Sequence, residues 1–297
     1  MSEIKLFSTN DTVKECLHSM VGLEKELQNL IENNMETFFG VRFLESEYTI
    51  ANGRMDSIGI DENNSPVIFE YKKSQNDNVI NQGLFYLDWL LNHKADFILL
   101  VTEKLGKKTA DNIDWSVPCV ICIAHSFNKY DINAVNLIQR NIKLVSYRKY
   151  DNLILFEHLN NPTVKPIFEN INNDNSNKNN NQKSHLEKLE SVSDNIKILY
   201  DSICYFIESL GDDISKNQLK LYLAYKKIQN IVCIEIYSNH ITLFLKLNPD
   251  NIILEKGFTR DMRNIGHYGT GDLQVTIRNE EDVKKAKPLL EKVYIES

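Results

Sequence analysis

Apolar and polar positions alternate most clearly from Gly53 to Lys73, GRMDSIGIDENNSPVIFEYKK. Residues 53–60 alternate and residues 66–73 alternate again. Asp61-Glu62-Asn63-Asn64-Ser65 between them is turn chemistry, so the pattern predicts a β-hairpin. Pairing about a centre at Asn63, the simplest short-loop register, sets Ile58 against Ile68, Asp56 against Glu70 and Arg54 against Lys72. Period-2 geometry puts all six on one face, with opposed Cβ atoms roughly 4.5–5.5 Å apart.

The rest of the first half alternates helix and strand. Residues 22–39 carry a helical stripe of Leu23, Leu27, Leu30, Asn34 and Phe38, with Ile31 at its edge, and Gly40 closes it. On that phase Glu24 and Glu26 flank the stripe, and Glu32 points away. A strand follows at 41–50, and after the hairpin residues 78–93 read as a helix apolar over much of its surface. Residues 96–102 (DFILLVT) and 117–124 read as buried strands, with a polar connection at 104–111. A helix at 131–141 and strands at 142–147 and 152–157 complete the segment. Apolar strands interleaved with helices predict an α/β sheet covered on both faces, in the order helix, three strands, helix, strand.

Residues 169–184 (ENINNDNSNKNNNQKS) have almost nothing to bury and read as an Asn-rich linker. They separate a domain at 1–168 from a second at 185–297. The second begins with helical periodicity to about Leu210. Short strands follow near 220–226, 232–238, 241–247 and 273–277, and a helix at 282–293 ends a small α+β domain.

Composition narrows the partners. The chain has 297 residues, a net charge of −7 and a pI near 5.6, so no global basic field coats nucleic acid. A nuclease working through a metal and local Lys or Arg is still compatible. The N-terminal stretch lacks an apolar signal region and no apolar run reaches membrane-spanning length, so a soluble cytoplasmic protein without membrane contact is expected. Cys119 and Cys122 are three apart on a predicted strand and so face opposite ways, wrong for one zinc or a redox pair. Cys16, Cys204 and Cys233 are isolated, and neither disulfides nor structural zinc are expected.

The candidate chemistry lies in the hairpin. Two carboxylates as close as Asp56 and Glu70 repel, and one takes up a proton unless a cation lies between them. Hard divalent cations such as Mg²⁺ take one or two carboxylates plus water and phosphate oxygens. Arg54 and Lys72 supply positive charge where a phosphate would sit. An ordinary amphipathic hairpin with its charges in water is the competing explanation. On the second helix Gln82 and Tyr86 stand one turn apart, a pairing that a core tyrosine with an incidental glutamine also explains. Residues 257–272, GFTRDMRNIGHYGTGD, gather glycines with Arg260, Arg263 and His267; they read either as an anion-binding loop or as an irregular crossover.

With Asp56, Glu70-Tyr71-Lys72 and Gln82-x3-Tyr86 in view, residues 20–150 resemble the PD-(D/E)xK nuclease superfamily, the restriction-endonuclease-like fold, and within it the NucS- and RecB-like branch. The resemblance implies an αβββαβ core and Mg²⁺- or Mn²⁺-dependent hydrolysis of phosphodiester bonds, with DNA as partner, in repair or phage defence. It implies Asp56, Glu70 and the Tyr71 carbonyl as metal ligands, Lys72 at the attacking water, and Gln82 and Tyr86 near substrate. Arg54 would grip a phosphate oxygen. A Glu on the first helix often completes such sites; Glu26 is the match, with Glu24 competing. Met55 stands where the family has proline. Many nucleases of this fold form homodimers. Residues 190–297 resemble a domain of unknown function sometimes labelled a predicted transport protein.

A non-catalytic module is the alternative, a nuclease-like scaffold whose C-terminal domain binds nucleic acid or a protein partner. A third reading makes residues 257–272 a ligand sensor gating the first domain.

Overall fold

The computed structural model describes residues 4–9, 12–19, 24–72, 79–162 and 183–297. Most of the Asn-rich stretch, residues 169–182, and Lys73 lie outside the described residues. The chain divides into two compact units. The first is Met1–Ile60, Pro66–Asp111 and Cys119–Pro162; the second is Asp61–Ser65, Asn112–Pro118 and Thr163–Ser297.

The first unit is a mixed α/β sheet. Its N-terminal strands are β1 (Leu6–Ser8), β2 (Lys14–Cys16) and β3 (His18–Ser19), followed by helices α1 (Glu24–Glu32) and α2 (Met35–Phe39). Gly40 ends α2 in the left-handed conformation, φ 65°. Strands β4 (Val41–Ile50), β5 (Gly53–Asp61) and β6 (Pro66–Lys72) come next, then α3 (Val79–Asn92), α4 (Lys94–Leu105) and α5 (Lys107–Ala110). Strand β7 (Cys119–Ala124), α6 (Lys129–Leu137), β8 (Asn141–Tyr150) and β9 (Leu153–His158) close it. Strand order is β3-β8-β7-β6-β5-β4, with β9 also paired to β8. The β5–β6 pair is antiparallel, whereas β6–β7 and β7–β8 are parallel, each joined by helical crossovers as parallel pairing requires.

The expected hairpin register is present: Ser57 pairs with Phe69, Ile58 with Ile68, Gly59 with Val67 and Ile60 with Pro66. Alternate residues then face opposite layers. Phe69, Tyr71, Cys119, Ile121 and Ile123 join Leu27, Ile31, Met35 and Phe39 in one core. On the other face Gly83 lets α3 lie against β7, since a Cβ there would sit 2.6 Å from Val120 Cγ1. Cys122 faces that helix with Sγ 3.9 Å from the Val79 carbonyl, so Cys119 and Cys122 do lie on opposite faces.

Three expectations are corrected. Residues 96–102 are helical, within α4, because Phe97, Leu100 and Val101 are buried at helical spacing while Leu99 is 58% exposed. The first helix is broken after Glu32, and its buried side is Leu27, Gln28 and Ile31, with Leu30 exposed. Glu32 therefore turns inward, accepting from Ser57 Oγ at 2.6 Å and Gln28 Nε2 at 2.8 Å.

The second unit holds α7 (His185–Ser191) and α8 (Asp194–Glu208), then β10 (Ser215–Gln218), β11 (Leu223–Lys226), β12 (Asn230–Ile236) and β13 (Ile241–Leu245). Strands β14 (Thr259–Asp261) and β15 (Leu273–Ile277) and helix α9 (Glu280–Glu296) complete it. The strands form an antiparallel sheet in the order β10-β11-β12-β13-β15-β14. Helices α8 and α9 cover one face, packing Ile203, Ile207, Ala286 and Leu290 on Val232, Ile234, Leu243 and Val275. The segment expected as a polar turn, residues 61–65, belongs to this unit and is largely buried. Most of its polar groups are partnered: Asp61 Oδ1 accepts from the Asn63 and Ser65 amides, Tyr222 Oη donates to Asn63 Oδ1 at 2.9 Å, and Lys226 lies 3.6 Å from Asp61 and 3.4 Å from Glu62, while the Ser65 hydroxyl has no hydrogen-bond partner among the described residues. Asn64 takes the left-handed conformation the turn needs, φ 60°.

Candidate active site

Strands β5 and β6 bring Asp56 and Glu70 together. The Asp56 amide donates to Glu70 Oε1 at 3.3 Å, and the Tyr71 amide donates to Asp56 Oδ2 at 2.9 Å. Ile58 and Ile68, paired with each other and both fully buried, are the next cross-strand pair toward the turn. Glu70 is 2% exposed. Burial, with the Asp56 charge next, pushes its carboxyl up to about 9. Asp56 is raised too, chiefly by burial, against the lowering effect of the Tyr71 amide and Lys72. Lys72, partly exposed at the end of β6, acts electrostatically on both acids.

Helix α1 supplies the next layer. Gln28, buried among charged neighbours, donates from Nε2 to the Asp56 carbonyl at 2.8 Å and to Ser46 Oγ at 3.2 Å. Of the two first-turn glutamates, Glu24 is the one whose charge acts on both Asp56 and Glu70; Glu26 lies on the exposed side. This follows from the helix's phase, since Glu24 and Gln28 share a face one turn apart. Glu47, not singled out in the sequence, takes Lys25 at 2.9 Å and Arg54 at 2.6 Å. It does so with φ 55°, a left-handed residue inside β4 that nothing in the local sequence advertises. Glu47 is held below the usual carboxylate range, first by the Lys25 hydrogen bond.

The remaining candidates fall at the margins. Arg54, 61% exposed, is ion-paired with Glu47, and its amide donates to Tyr86 Oη at 3.3 Å. Tyr86 is buried against Gly53, where a Cβ would come within 2.9 Å of its ring. Gln82, one turn away, is exposed. In the second unit, Arg263 is committed to Asp250 and Asp261, with both carboxylates bound through its guanidinium. Two glycines of that stretch serve close packing, Gly269 (φ 76°) against Cys233 and Gly271 (φ 134°) against the Phe244–Leu245 backbone, whereas Gly257 and Gly266 face open space. The anion-loop expectation for 257–272 therefore loses its central cation.

Among the described residues no group of three or more His, Cys, Asp or Glu could hold a metal ion. Buried Glu70 and half-buried Asp56, side by side across β5–β6, are nonetheless a donor set that fits a hard divalent cation needing one or two carboxylates. Among the described residues no helix is long and apolar enough to cross a membrane.

No family model matches the chain, so the likeness of residues 190–297 to a transport-labelled domain finds no support. Solved structures give loose matches. A repair endonuclease from Pyrococcus abyssi is 20% identical, covering 43% of this chain and 49% of that one, with a TM-score of 0.29. The EndoMS-dsDNA2 complex is 19% identical, covering 43% of this chain and 46% of that one, with a TM-score of 0.27. The chain thus spans about half the length of these solved chains. An uncharacterized protein of Haemophilus influenzae (strain ATCC 51907 / DSM 11121 / KW20 / Rd) is 33% identical over 267 residues, covering 87% of this chain and 88% of that protein. The chain belongs to the same family as this uncharacterized Haemophilus influenzae protein.

Proposed function

We propose that the chain is a metal-dependent nuclease hydrolysing phosphodiester bonds in DNA, with its active site at the open end of the β5–β6 pair. The observation that carries this reading is the Asp56–Glu70 pair, set side by side across β5–β6 by the Asp56 and Tyr71 amides, with the Glu70 carboxyl buried. Asp56 and Glu70, with the Tyr71 carbonyl, would hold Mg²⁺ or Mn²⁺, which when bound lowers the pKa of a coordinated water and offsets charge on the phosphate. The chain's own groups do the rest. Lys72 sets a positive charge beside both acids, where it orients the attacking water and meets the phosphate. Gln28 holds the Asp56 backbone. Tyr86 holds the Arg54 backbone, and Glu47 directs the Arg54 guanidinium along the rim, where it meets the strand.

Supercoiled, linear duplex, single-stranded and branched DNA, incubated with the protein and Mg²⁺ or Mn²⁺, test the reading. Nicking or degradation is expected, with Asp56→Asn, Glu70→Gln and Lys72→Ala each losing at least ~100-fold in rate. Equal cleavage by the three variants, or no cleavage of any substrate, leaves a binding scaffold in its place.

A further inference from the structure

The second unit's sheet has helices on one face. Its other face carries polar and aromatic side chains in register across three strands: Glu235 opposite Thr242, Thr242 opposite Thr276, and Phe244 opposite Gln274. Above them lies a groove of about 460 Å³, within the roughly 300–1,000 Å³ of small-molecule sites. Its walls are planar rings held in fixed orientation. Tyr237 stacks on His240 at 4.6 Å and 3°, and Phe244 stacks on His267 at 4.0 Å and 10°. Tyr268, 41% exposed, adds a ring at the mouth.

Glu235 is the acid lining this groove, and it is 3% exposed. Tyr237 Oη donates to Oε2 at 2.7 Å and the Tyr268 amide to Oε1 at 3.2 Å. A carboxylate has about four acceptor positions, so each oxygen retains capacity for a further donor. A buried acceptor between planar rings suits a flat heterocycle presenting adjacent N–H groups. The margins are basic: Lys188 Nζ lies 6.0 Å from the Tyr237 ring centre, and exposed Arg260 stands opposite Gln274 on β14. Positive charge at the rim disfavours a cationic occupant of an aromatic cage and favours a heterocycle that carries phosphate.

We propose that this groove binds the guanine base of a nucleotide, either free or within a single strand. The ring stacks on the groove's aromatics, and the guanine N1–H and N2–H donate to Glu235. Adenine offers an acceptor where guanine offers N1–H, so the carboxylate selects between the two purines. The proposal is independent of the hydrolytic reading, because it concerns binding alone.

The test uses the full chain in a chelator-containing buffer, so that divalent-metal binding contributes nothing. Calorimetry with GMP, AMP, CMP and UMP is paired with anisotropy of labelled single strands, one containing guanines and one of thymines alone. GMP is expected to bind at least tenfold tighter than the other three. Glu235→Gln removes that preference, and Tyr268→Ala, at an exposed ring, weakens GMP by about tenfold. Capture of GMP without the guanine strand identifies a mononucleotide ligand, and tighter capture of the guanine strand identifies single-stranded nucleic acid; both support the site if the two variants reduce them. Binding of no nucleotide or strand, equal binding of all four nucleotides, variants that bind like the parent, or preferential binding of tetramethylammonium overturns it.

Discussion

Asp56 and Glu70 are laced across the β5–β6 pair: the Asp56 amide donates to Glu70 Oε1 at 3.3 Å while Asp56 Oδ2 accepts from the Tyr71 amide at 2.9 Å. Each acid is thus held by a backbone amide of the opposite strand.

This arrangement sets a sign for stability against pH. The Glu70 carboxyl is raised by burial and by Asp56 from its ordinary 4.5 to about 9, so in metal-free protein it keeps a proton that the unfolded chain releases. Its contribution is full below pH 4.5 and is lost as pH rises toward 9, with a slope of up to about 1.4 kcal/mol per pH unit. Glu70→Gln should therefore be more stable than the parent at pH 8 without metal, and the difference should vanish near pH 4.5. Urea unfolding at the two pH values, with chelator present, measures it.

Glu24 and Glu26 should separate. The Glu24 charge raises both Asp56 and Glu70, whereas Glu26 does not figure among the main influences on either. Glu24→Gln is expected to lower the pH at which Glu70 ionises and to reduce cleavage about tenfold, while Glu26→Gln changes either by less than twofold. Carboxyl titration followed by NMR, with initial cleavage rates, compares them.

Gln28 is a positioning residue whose amide holds the Asp56 carbonyl at 2.8 Å. Gln28→Leu leaves a buried acceptor unmet and should cost about 1–3 kcal/mol, read as a lower urea midpoint with an unchanged m-value.

In the second unit, His185 is fully buried, with Nε2 3.1 Å from Tyr200 Oη and Nδ1 lacking a hydrogen-bond partner among the described residues. Burial holds its pKa down at about 4 against an ordinary 6.5, so the unfolded chain takes the proton first. Its share of stability is intact above pH 6.5 and lost as pH falls toward 4. His185→Phe, which has nothing to titrate there, should flatten that loss, as thermal unfolding at pH 7 and pH 5 will show.

The hairpin register was readable from residue order, because a strand has one side-chain period and a short turn leaves one simple register. That is why the sequence alone sets Asp56 opposite Glu70, as the bond between them bears out. Helices offered less. In α1 both Leu30 and Ile31 are apolar, so the stripe could be drawn on either side; burial chose Leu27, Gln28 and Ile31, which turned Glu24 toward the acids. The run at 96–102 is apolar at every second, third and fourth position, so period alone cannot separate strand from helix. Glu47 was beyond reach because its role comes from a left-handed backbone inside a strand. The turn at 61–65 read only as polar turn chemistry, and its burial was not legible, because its partners, Tyr222, Lys226 and Asn230, come from more than 150 residues away in the chain.

The hydrolytic reading rests on a divalent cation binding between Asp56 and Glu70 and displacing the proton that burial favours on Glu70. Titrating Mn²⁺ into the full chain at pH 7 by calorimetry, in buffers of different ionisation heat, measures it directly. The account predicts binding with release of about one proton per ion, both lost in Glu70→Gln. Mn²⁺ binding with no proton release, or binding that survives Glu70→Gln unchanged, would contradict it.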